Sequence, residues 1–248
     1  MYKHVIDNDI EKAEFYYKVS SAYYYVVHTW ESIEYLRRAK EIFERHEGFE
    51  KRKASCSVLL GLNCIDISQY EQAEIELLNA LDFAKSTNDI QFKMDVYHNL
   101  GLFYSHQNHS TTAIRYLNEI EKISEDHKNL RVIFLLTQEY CKIGDFERAY
   151  PYFEKGMELS HEKNDEEYQI KFEILQNLYI KKNPSLAIIS LNKGIEYFKE
   201  NNKWYTVGKY SEILANIYNQ NKKYEQASHY FSIFVEAYHK INEMGALK

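Results

Sequence analysis

LTQEYCKIGDFERAYPYFEKGM, residues 136–157, holds a small residue, Thr137, followed twelve positions later by another, Ala149, with the polar turn IGD at 143–145 between them. The same ruler fits LLGLNCIDISQYEQAEIELLNAL (59–81), NLGLFYSHQNHSTTAIRYLNEI (99–120) and LANIYNQNKKYEQASHYFSIFV (214–235), where the pairs are Gly61 with Ala73, Gly101 with Ala113, and Ala215 with Ala227. Two weaker copies, Ser20 with Ser32 and Leu175 with Ala187, bring the number of units to six. Small residues are needed where the two helices of a hairpin cross closely, and bulky neighbours fill the space beside each crossing. Each unit therefore predicts helix A, a short polar turn and helix B.

The second small positions fall at 32, 73, 113, 149, 187 and 227, so successive units are 41, 40, 36, 38 and 40 residues long. These periods exceed the roughly 34 residues of a standard tetratricopeptide repeat. Its pattern is nonetheless met in Gly101-x2-Tyr104, Thr137-x2-Tyr140 and Ala215-x2-Tyr218 on helix A. Helix B supplies Ala73-x3-Leu77, Ala113-x3-Leu117, Ala149-x3-Phe153 and Ala227-x3-Phe231. Pro184 can open a helix, and Asn88-Asp89 and Asn164-Asp165 offer side chains that accept orphan amide protons at helix starts. The expected fold is all-α: a right-handed tetratricopeptide-repeat α-solenoid of about six helix-turn-helix units, forming a single domain over 1–248.

Composition agrees with helices and narrows the function. Eight glycines and two prolines among 248 residues leave little turn or strand punctuation. With 31 Lys+Arg against 37 Asp+Glu, the net charge of −6 provides no basic field for nucleic acid. Cys56, Cys64 and Cys141 are odd in number and form no CxxC, so a disulfide framework is not expected and a reducing, cytoplasmic setting is. No apolar run approaches the ~18 residues of a membrane span, and MYKHVIDNDIEKAEF does not read as an export signal.

No phosphate loop, GxSxG, HExxH or EF-hand pattern occurs, so neither a catalytic residue nor a cofactor is expected. His98, His106 and His109 form the closest histidine group, yet they read as solvated side chains and not a zinc site. Cys64 occupies a slot filled by Tyr in sister units and reads as core. More informative is the stripe that helix A turns away from its partner, comprising the residues two before, one after and five after the first small position. It carries Asn99, Gln138, Gln176 and Asn216, with Asp66 and Lys142 at the farther offset. An amide both donates and accepts, so a row of them matches an extended peptide backbone. A short peptide bound along a concave wall is the expected partner.

DIEKAEFYYKVSSAYYYV (9–26), the W-x-S-x2-Y that begins at Trp30, LLGLNCIDISQYEQA and YHNLGLFYS together resemble the tetratricopeptide domain of the Rap family of Bacillus response-regulator aspartate phosphatases and regulators. The resemblance implies a repeat domain that binds a short Phr signalling peptide, with Asn99 matching the family's backbone-binding Asn and Asp66 its acidic contact for a basic peptide side chain. It also implies an N-terminal three-helix bundle that engages a response regulator or transcription factor. DIEKAEF lies well inside family chains but starts here at residue 9, so the bundle and its water-positioning Gln are expected to be absent. The expectation is then a peptide-sensing module. The alternatives are an aspartate phosphatase whose bundle is truncated or supplied elsewhere, and a generic protein-interaction scaffold. The apolar residues of the first helix, from Phe15 to Val27, exceed the stripe that an end helix needs, so a homodimer through the first repeat is also expected.

Overall fold

The computed structural model describes residues 8–123 and 129–245, with side chains to 241. Its helices gather into two compact units, Met1–His127 and Lys128–Lys248. The first holds α1 (Asp9–Tyr25), α2 (Thr29–Glu44), α3 (Glu50–Asp66), α4 (Tyr70–Ser86), α5 (Ile90–His106) and α6 (Ser110–Ile123). The second holds α7 (Leu130–Lys142), α8 (Phe146–Glu162), α9 (Glu166–Leu175), a π-helical turn (Gln176–Ile180), α10 (Pro184–Glu200), α11 (Trp204–Gln220) and α12 (Tyr224–Gly245). Consecutive helices pair as hairpins, three to a unit, and the fold is the expected helical repeat.

The crossings lie where the small residues predict them. Ser20, Thr137, Ala215, Ser32, Ala73, Ala113 and Ala149 are all buried, and the Ser32 hydroxyl donates to the Ser20 carbonyl at 3.0 Å across the first hairpin. A Cβ placed on Gly61 would stand 2.8 Å from Leu77 Cγ, and one on Gly101 would stand 2.6 Å from Leu117 Cγ. The leucine of each Ala-x3-Leu motif thus fills the space that the glycine of the facing helix leaves. Leu175 stands at this position in the fifth hairpin, and that is the hairpin whose first helix finishes in the π-helical turn. Leu175 and Ala187, the two residues of that pair, are both buried.

A second regularity lies in the turns. Val27, Ser68, Asn108, Gly144, Lys182 and Lys222 have positive φ, and each stands five residues before its unit's second small position. The next amide then reaches back to the carbonyl five residues earlier, as in Gln69 to Cys64 at 2.8 Å, His109 to Tyr104 at 2.8 Å and Lys223 to Tyr218 at 2.9 Å. These are Schellman closures, which satisfy carbonyls that the helix end would leave open. In the fifth turn the bond runs from Asn183 to Asn177 at 3.2 Å, one residue wider, because of the π-helical turn. Side chains of Asp89, Asn129, Asp145, Asp165 and Asn183 cap the helices that follow, while Asn164 takes a left-handed φ instead.

On α1, Tyr16, Tyr17 and Tyr24 pack on the core formed by Ala13, Ile33, Leu36, Phe43, Cys56 and Leu60, and Tyr23 stacks on Tyr35. Phe15, Tyr25 and Val26 are exposed, as is Trp30 at the start of α2. No helix among the described residues is long and apolar enough to cross a membrane.

Candidate functional site

The outward stripe of helix A is built differently in the two units. In the first unit, Asp66 ends α3 and Asn99 lies on α5, and these two helices touch. Among the described residues the Asp66 side chain makes neither an ion pair nor a hydrogen bond, and it presents exposed surface. Desolvation nevertheless pushes its carboxyl up to about 6. Protein therefore crowds the carboxyl although water still reaches it. Tyr24 is the neighbour that feels this carboxylate: its hydroxyl is pushed up to about 12, first by burial and then by Asp66. Asn99 is half-buried, and among the described residues its amide has no partner. Unit 1 therefore presents an unmatched carboxyl and an unmatched amide.

In the second unit the polar groups engage one another. Gln138 on α7 was expected to face outward as an open amide. Instead it is buried, and both ends of its amide are used within the protein. Its Nε2 donates to Glu139 Oε1 at 2.9 Å, and its Oε1 accepts from Lys209 Nζ, on α11, at 3.0 Å. An ammonium only donates and a carboxylate only accepts, so these neighbours fix the orientation of the amide. Lys142, which shares the stripe, pairs with the fully buried Glu139 at 2.8 Å. Gln176 opens the π-helical turn, where its carbonyl accepts from the Lys181 amide at 2.8 Å, and Asn216 is exposed.

Lys209 escaped the sequence reading. It stands six before Ala215, seven before the offset that selected Asn216, and seven residues are close to two helical turns. Extending the stripe two turns toward the helix start would have found it. Burial pushes its ammonium down to about 8, helped by repulsion from Lys142 and Lys171 and opposed by Glu139. Lys171 pairs with Glu167 and sits 4.7 Å over the Tyr168 ring.

The cysteines lack the surroundings of nucleophiles. Burial pushes Cys56 up to about 12 and Cys141 up to about 11, and it raises Cys64, which is buried in the core cluster as its slot predicted. His109 lies against the Tyr104 ring, with ring centres 6.3 Å apart.

The tetratricopeptide repeat model matches residues 95–127, the stretch that begins within α5 and includes α6. The regulatory protein RapF of Bacillus subtilis (strain 168) is 32% identical over 231 residues, which are 91% of this chain and 60% of RapF. The solved apo form of RapI superposes with a TM-score of 0.85 at 27% identity, covering 96% of this chain and 87% of that one. The chain carries a tetratricopeptide domain of the Rap family. A Rap protein solved in complex with Competence and Sporulation Factor shares the fold as well, with a TM-score of 0.81 at 24% identity over 96% of this chain and 67% of that one. The Rap-type domain described here spans less than two thirds of the length of the curated relatives RapF, response regulator aspartate phosphatase I and RapK.

Proposed function

We propose that this Rap-type domain is a sensor for a short signalling peptide of the Phr type, acting in quorum-sensing control of response-regulator signalling. The observation that carries the reading is the pair in unit 1. Asn99 has an amide free for a peptide backbone, and Asp66 has a carboxyl free for a basic side chain, on two helices that touch. Leaving a carboxyl crowded by protein without a cation is unfavourable unless a ligand supplies one. The Rap protein complexed with Competence and Sporulation Factor supports the reading at the level of fold. Within the second unit taken by itself, Asn216 and Gln176 are the candidate peptide contacts in this reading, whereas Gln138 and Lys142 act through the network that holds them.

Calorimetry with pentapeptides that carry Lys at one position, and twins that carry Gln there, tests the assignment. Asn99→Ala should weaken every peptide that binds by ~1–3 kcal/mol, the cost of leaving a backbone group unmatched. Asp66→Asn should weaken only the Lys peptides. Equal loss for Lys peptides and Gln twins on Asp66→Asn, or wild-type binding by Asn99→Ala, defeats the reading, provided that circular dichroism shows intact helices.

A further inference from the structure

We infer that Lys209, held against Gln138, is a receptor for a carboxylate, and that on a peptide bound to unit 2 the group it takes is the C-terminal α-carboxylate. This rests on the peptide-sensing reading and adds to it an anionic subsite and a requirement for a free C-terminus.

Three observations converge on it. The first is hydrogen-bond capacity: an ammonium has three protons to donate, and among the described residues Lys209 uses one, on Gln138 Oε1 at 3.0 Å, with no carboxylate paired to it. The second is charge. Glu139 is taken by Lys142, and Glu167 by Lys171 with Lys203 also 3.9 Å from it, so neither of these carboxylates is left to answer the charge of Lys209. A singly charged carboxylate neutralises it, whereas a phosphate dianion would replace an excess of one sign with an excess of the other among groups already withdrawn from water. The third is rigidity. Gln138 bridges Lys209 to the buried Glu139, so the ammonium is held in place before any ligand arrives. The lowered proton affinity of Lys209 agrees, since it records an ammonium short of water and of counter-charge.

The test uses the whole chain labelled with [13Cε]lysine and 15N, with Lys209→Met to assign the Lys209 signal. At pH 7 and matched ionic strength, sodium acetate should move that signal saturably and several-fold more than any other lysine signal, while acetamide should not. The response should disappear at pH 10, where the amine is neutral. Pentaalanine with a free C-terminus should produce the same shift, and its C-terminal amide should not. Absence of a saturable acetate shift overturns the proposal, even if the 15N signals around Asn99 show that peptides bind. A shift produced by the amide of Ala-Ala-Glu-Ala-Ala but not by pentaalanine acid overturns the assignment to the α-carboxylate. If acetate moves the Lys209 signal while no peptide changes either spectrum, the peptide-sensing reading fails and the carboxylate receptor stands without it.

Discussion

Lys209 Nζ and Gln138 Oε1 stand 3.0 Å apart on α11 and α7, the first helices of two hairpins that have a whole hairpin between them in the chain. The bond brings a lysine and an amide 71 residues apart in sequence into one network with Glu139 and Lys142. The burial of Lys209 in this network has an energetic consequence that pH tests. Burial lowers the Lys209 ammonium to about 8 in the folded protein from the 10.5 of a solvated lysine, so between those limits the unfolded chain holds more protons. Stability therefore rises with pH across that window, and the penalty for charging Lys209 is fully present below 8. Wild type should gain stability relative to Lys209→Met between pH 8 and 10.5, by on the order of 2 kcal/mol. Denaturant titrations of both proteins at the two ends of the window measure it, and parallel curves would refute it.

Asp66 gives the opposite sign. Its folded value is raised to about 6 from 3.8, so the folded state holds the extra proton in this window and stability falls as pH rises through it. Asp66→Asn should melt at a higher temperature than wild type at pH 7, and the two should converge at pH 3.5. Binding of a Lys-bearing pentapeptide needs the ionised carboxylate, so affinity should decline as pH drops below about 6, and Asp66→Asn should abolish that decline. Calorimetry at pH 5 and 7 distinguishes the two behaviours.

The close crossings predict a cost for the mildest substitution. Alanine is the better helix former by about 1 kcal/mol. Gly101→Ala should still destabilise by roughly 1–3 kcal/mol, because the new methyl meets Leu117 at 2.6 Å. Combining it with Leu117→Ala should cost less than the sum of the two single changes, since the smaller residue vacates the contested space. Strict additivity in chemical denaturation would show that the two side chains do not compete.

Val27 is a β-branched residue with φ of 61°, in the turn position that Gly144 occupies in the fourth hairpin with φ of 76°. A left-handed backbone costs an ordinary L-residue roughly 1–2 kcal/mol, and glycine avoids most of this. Val27→Gly should therefore stabilise the protein by about 1 kcal/mol, read as a higher denaturation midpoint. Gly144→Val should do the reverse by a similar amount.

Much of this architecture could be read from the chain before any coordinates. The small residues twelve apart, from Gly61 and Ala73 to Ala215 and Ala227, mark each crossing because steric exclusion there depends only on side-chain size and local helical geometry. The turn position five residues before the second small residue was equally present, but it is occupied by Val, Ser, Asn, Gly and Lys. Its composition concealed a rule that is clear in the backbone. Pro151 lies within α8 and removes an amide donor from it, a local break that the packing of Ala149 and Phe153 overrides.

The functional face divides along the same line. A helix has a fixed period, so sequence alone placed Asp66, Asn99, Gln138, Lys142, Gln176 and Asn216 on one stripe of helix A, without fixing which of them face outward. Whether a polar group on that stripe remains open or is matched depends on side chains from other helices, and the period of one helix carries no record of them. Among the described residues, tertiary structure left Asp66 and Asn99 without internal partners, closed Gln138 between Glu139 and Lys209, and withdrew Lys209 from water without giving it a carboxylate. Hydrogen bonds and charges are settled by distances of a few ångströms between segments far apart in the chain, and only the folded arrangement sets those distances.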